Sequence, residues 1–180
     1  MLTTNTRKTG PANRFGLDYT MEAEALGPPI TPIIDVHSHI NGTDAAWLYK
    51  RTAKLYGISL TYSMTHLEQV ETVREILGDR IRFIAVPDYR ADDKRHAFGE
   101  GYIERLKAYR EHGVRMAKFW AAPRATDYAI ELGDPSYMNL DAPHRVDQMQ
   151  AAHDLGMYFM THIADPDTWF STKYSDSSTY

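Results

Sequence analysis

Cysteine is absent from the chain, which excludes disulfide scaffolds, thiolate metal sites and cysteine nucleophiles together. No apolar run approaches the ~18 residues that a membrane-spanning helix requires. The stretch from Met1 to Phe15 carries charge with no apolar core behind it, so no secretory signal is expected and a cytoplasmic protein is the default. Charge of one sign is also missing: 20 Lys and Arg stand against 24 Asp and Glu, for a formal net charge of -4. Without a basic stripe interleaved with aromatics, nucleic acid is set aside as a partner. A small-molecule substrate is the expected partner, with homo-oligomerisation left open.

What is present is 180 residues, 43% of them hydrophobic and 24% charged, enough to bury one sizeable core. Residues 1–32 are expected to form an irregular N-terminal extension, because Gly10-Pro11, Gly27-Pro28-Pro29 and Pro32 interrupt regular structure. From residue 33 to 180 short apolar runs alternate with helical spacings. The runs begin at Ile33, Ile58, Ile81, Val114 and Met157, and each has strand length. Between them, apolar residues recur at helical intervals: Ala45 to Tyr56, Leu67 to Leu77, Tyr102 to Tyr109, and Val146, Met149, Ala152 and Leu155. Thr65 with Glu68 has the pattern of a capping box, and Gly78, Gly113 and Gly156 stand where helices should end.

Successive strand-helix units imply parallel strands joined by right-handed crossovers, so the fold class is α/β. An open doubly wound sheet usually carries a Gly-rich phosphate turn after its first strand. Here that place holds His37-Ser38-His39. A (β/α)8 barrel would put these residues on its C-terminal face, where barrel enzymes keep their active sites. The expectation is therefore a partial (β/α)8 TIM barrel of about five units, its C-terminal strands missing.

Side chains alternate along a strand, so His37 and His39 share one direction and can grip one metal ion through their ring nitrogens. Asp35 falls on the same face by alternation, either fixing a histidine tautomer or making a plain structural hydrogen bond. Lys118 lies in an apolar run, where a buried ammonium is costly unless paired or modified; a snorkelling side chain is the alternative. His162, at the end of the fifth run, is either a ligand or a core histidine bonded to a backbone carbonyl. Trp120, Arg124 and Trp169 follow the fourth and fifth runs and are expected to line a pocket mouth, Arg124 gripping a substrate carboxylate. His66 and His112 sit at helix ends, His144 and His153 on a presumed surface helix, and all four are expected to be non-catalytic.

The ordered set His37-Ser38-His39, Lys118 and His162, each at its own strand end, resembles the amidohydrolase superfamily, and within it the group of metal-dependent hydrolases and non-oxidative decarboxylases. The resemblance runs from about Ile33 to Phe170. It implies that His37, His39 and His162 ligate a divalent metal, most often Zn²⁺, with Mn²⁺ or Fe²⁺ as alternatives. It implies for Lys118 a catalytic part, as a carboxylated lysine bridging two metals or as a residue that orients substrate. The sixth-strand His and the eighth-strand Asp of that family have no counterpart here. The implied activity is hydrolysis of an amide, lactone or ester-like bond. Decarboxylation of an aromatic or enoic acid, and an inactive half-barrel that associates through open strand edges, are the alternatives.

Overall fold

The computed structural model describes Asn13 and residues 15–164. The chain order is α1 (Tyr19–Leu26), β1 (Ile33–Ser38), α2 (Thr43–Tyr56), β2 (Ile58–Ser63), α3 (Val70–Leu77), β3 (Ile81–Phe83), α4 (Lys94–Phe98), α5 (Glu100–Glu111), β4 (Met116–Trp120), α6 (Ala125–Glu131), α7 (Pro143–Asp154) and β5 (Tyr158–His162). Strands β1, β2 and β3 pair in parallel, as do β4 and β5. A parallel bridge between Ala85 and Ala117 links the two groups. Among the described residues the strands do not close on themselves, and no helix is long and apolar enough to cross a membrane.

The seam between β3 and β4 is the best-covered part of the molecule. The Tyr102 hydroxyl, fully buried, lies 2.8 Å from the carbonyl of Lys118 and 3.0 Å from that of Ala85, so one proton serves both strands. Tyr102 also meets the Phe119 ring edge-on, with centroids 5.8 Å apart. Helix α5 buries Leu106 and Tyr109 on the same side, and α3 adds Val70, Val73 and Leu77. These apolar side chains enter one contiguous core with Ile81, Phe83 and Ile84, and fully burying each large one contributes roughly 1.5–3 kcal/mol.

Four sequence expectations are corrected. The N-terminal extension is not wholly irregular, since α1 lies within it, capped by the Asp18 carboxylate on the Thr20 and Met21 amides. That extension also packs on the body. Gly57 closes α2 in the left-handed region with φ 70°, and a Cβ there would meet Pro29 Cγ at 2.6 Å. Thr65 does not form a capping box, because its hydroxyl is spent on the Ile40 carbonyl. Helix α7 buries Arg145, Gln148 and Ala152 while Val146 is exposed, so its inward face is shifted from the apolar spacing. Asp35 leaves the face of the two histidines. The β1–β2 register slips between Asp35 and Ser38, and such a bulge re-aims side chains. Asp35 consequently faces α2, where it accepts a hydrogen bond from the Tyr49 hydroxyl.

Candidate functional site

In parallel α/β folds, ligands gather beyond the carboxyl ends of the strands. Here a cavity of about 390 Å³ lies at those ends, lined by His37 and His39 after β1, His66 after β2, Lys118 and Trp120 of β4, and His162 of β5. Asn41, Met64, Val86 and Tyr89 complete it. Alternation explains the β4–β5 wall. Lys118 and Trp120 point one way along β4, and their register partners Met160 and His162 point the same way along β5. Ala117 and Phe119, between them, turn into the core.

The loops after β1 and β2 are stitched to each other. The Ser63 hydroxyl accepts from the Ile40 amide at 2.9 Å, and Thr65 Oγ1 donates to the Ile40 carbonyl at 2.8 Å. The Met64 amide reaches the Ser38 carbonyl at 2.9 Å. Asn41 Oδ1 accepts from the His66 amide at 2.8 Å. Behind them the buried Tyr109 hydroxyl donates to the Thr65 carbonyl at 2.7 Å. His39 and His66 therefore stand on one cross-linked rim.

The electrostatics favour neutral imidazoles. His37 and His39 open to solvent at the rim, yet the protein packed around them disfavours their charged forms and lowers both pKa values. For His37 the Lys118 ammonium adds to that burial effect, followed by His162; for His39 the neighbouring His37 comes next, then Lys118 and His66. Burial likewise lowers Lys118, which is 5% exposed. Among the described residues no hydrogen-bond acceptor or carboxylate meets its ammonium. The alternative reading of Lys118 as a side chain that snorkels to solvent does not match this burial.

The other expected site residues divide. Trp120 lines the cavity. Arg124 does not; its guanidinium is 3.1 Å from Asp127 Oδ2. Trp169 lies outside the described residues. His162 joins the cavity, with its Nε2 2.8 Å from the Ala164 carbonyl. Two residues escaped the sequence reading, His66 and Asn41. Their signal was positional: each follows a strand end within three residues, as His39 does.

Neutral imidazoles aimed into one cavity are the donor set that first-row divalent ions take, so the residue types fit a metal. The rings of His37 and His39 have centroids 5.5 Å apart and are tilted by 43°. As placed, no three His, Asp or Glu side chains among the described residues form a metal-holding group. No protein-family model matches this chain, and no curated protein matches it in sequence.

Proposed function

We propose that the chain carries the site of an amidohydrolase-type, metal-dependent hydrolase, built on part of a (β/α)8 barrel. In this reading His37, His39 and His162 hold one divalent ion, Zn²⁺ ahead of Mn²⁺ or Fe²⁺. One observation carries the proposal: imidazoles from β1 and β5 and the ammonium of Lys118 line a single cavity at the C-terminal strand ends. A bound divalent ion would supply Lewis acidity toward a carbonyl and would acidify water from ~15.7 toward ~7. The chain's own residues do the rest. Burial lowers the pKa values of His37 and His39 and so favours in them the neutral form that ligation needs. Lys118, without a carboxylate partner, orients the polar end of a small-molecule substrate. Trp120 and Met64 supply the apolar wall against which its body rests. An amide, lactone or ester-like bond is the proposed target.

Metal analysis of the purified chain tests this directly. About one equivalent of divalent metal is expected, lost on His37→Ala with the fold retained by circular dichroism. A wild-type chain without metal after dialysis against Zn²⁺ ends the proposal.

A second reading, non-oxidative decarboxylation, has one observation in its favour. No Asp or Glu lines the cavity among the described residues, so no carboxylate is at hand to act as general base toward water. Lys118 facing a substrate carboxylate suits that chemistry. Turnover of lactones against hydroxybenzoates separates the two.

A further inference from the structure

His66 was expected to be a bland helix-start histidine, and its backbone does precede a short helical turn, Leu67–Gln69. Its side chain has no part in that turn, because it caps nothing. Its amide is held by Asn41, and the preceding residue is held by Tyr109. The backbone is thus fastened from two sides while the ring is left to the cavity, where no acceptor among the described residues takes it up. That is an arrangement for presenting an imidazole.

The charge around the ring says what it is presented to. Four imidazoles and one ammonium line the cavity, and no carboxylate does so among the described residues. Acids close to the cavity are already engaged, Asp88 by the Arg90 amide at 2.9 Å and by Arg105 at 4.0 Å. Glu68 is gripped by the Arg105 fork at 2.6 and 3.2 Å, and Asp35 is committed to Tyr49 and to the His37 amide. A wall that offers one ammonium and several imidazole N–H donors, with no carboxylate among the described residues, is complementary to an anion. The flat groups Tyr89 and Trp120, with Met64 and Val86, would cover the body of the molecule that bears it.

We propose that His66 is a ligand-contacting residue of this cavity, donating a ring N–H to a carboxylate oxygen that Lys118 also faces. A neutral imidazole has one donor, so the contact needs no charged histidine. The assignment rests on the reading that this cavity is the working site, but not on the metal.

Benzoate and its uncharged isostere benzamide are the probes, titrated into the full 180-residue chain. Benzoate is expected to shift the His66 ring resonances in a heteronuclear NMR spectrum of the wild type, and to bind at least tenfold more tightly than benzamide. His66→Ala is expected to weaken benzoate about tenfold and benzamide by less, because a carboxylate accepts more strongly than an amide carbonyl. His66→Gln, which keeps a donor, should recover most of the loss. Equal affinity for the two probes, no benzoate binding, or a His66→Ala chain that binds benzoate like the wild type overturns the proposal. Should that variant fail to fold, the wild-type spectrum decides, since an unmoved His66 ring is equally fatal. Zn²⁺ content separates this outcome from the hydrolase reading. Metal retained with benzoate indifferent to His66 sinks only the His66 assignment, and metal absent with benzoate still dependent on His66 sinks only the metal site.

Discussion

The middle of the sheet and its two edges are built to different standards. Around β3 and β4, Tyr102, Leu106, Tyr109 and Phe119 are fully buried, and the carbonyls of Ala85, Lys118 and Thr65 each meet a buried tyrosine hydroxyl. At the edges, Val36 of β1 is 56% exposed and Tyr158 of β5 is 73% exposed. Yet the site draws from both regions. Lys118 and His66 come from the well-covered middle, whereas His37, His39 and His162 stand on the edge strands. The middle holds its side chains by packing, so Lys118 and His66 are presented in fixed positions. The edge histidines His37 and His39 stand where solvent reaches their side chains.

The comparison is broken most forcefully at Phe119. Its ring packs against Tyr102 and Phe159 and lies 5.9 Å from the Arg145 guanidinium. Phe119→Ala is expected to cost about 3–5 kcal/mol, the usual range for a fully buried aromatic, as read from urea unfolding. A loss below about 1 kcal/mol would show that the middle is no better packed than the edges.

A smaller effect is expected at Tyr109, whose hydroxyl holds the Thr65 carbonyl and through it the loop of His66. Tyr109→Phe keeps the ring and leaves a buried carbonyl short of its donor. The expected cost is about 1–2 kcal/mol, with amide exchange of residues 64–66 rising more than that of β4. Uniform exchange would mean that this hydroxyl does not anchor the rim.

Much of this organisation was legible in the residues. Strand runs and helical spacings are local signals, and the five strands and four of the helices fall where period-2 and period-3.6 patterns put them. His37 and His39 were singled out by strand alternation, Trp120 by its place after the fourth run, and Lys118 and His162 by the family resemblance; all five line the cavity. What escaped was set by tertiary contacts. The bulge that turns Asp35 toward Tyr49 depends on pairing with β2. The buried face of α7 defies hydropathy, since Gln148 is accommodated by the Phe98 and Gly99 carbonyls and Arg145 by the Trp120 carbonyl. His66 was set aside because a helix-start position has an ordinary explanation, which it does occupy, and its place on the cavity wall is visible only in three dimensions.

The smallest expected effect lies at the open edge, and it is the sharpest check on the contrast. Val36→Thr preserves the β-branched shape that suits a strand and places a hydroxyl where solvent already reaches the side chain. If β1 is truly an open edge, the hydroxyl costs little in water, and stability should stay within about 0.5 kcal/mol of the wild type. Buried in an interface, the same hydroxyl would lack a partner and cost about 1–3 kcal/mol. The two cases also differ in concentration dependence, because a covered edge makes the melting temperature rise with protein concentration. Melts of both chains across a hundredfold range of concentration distinguish them. A small, concentration-independent difference keeps β1 as an exposed edge, with its histidines open to solvent. A large difference, growing as protein concentration rises, would mean that another copy of the chain covers β1 and that the contrast between middle and edge vanishes in solution.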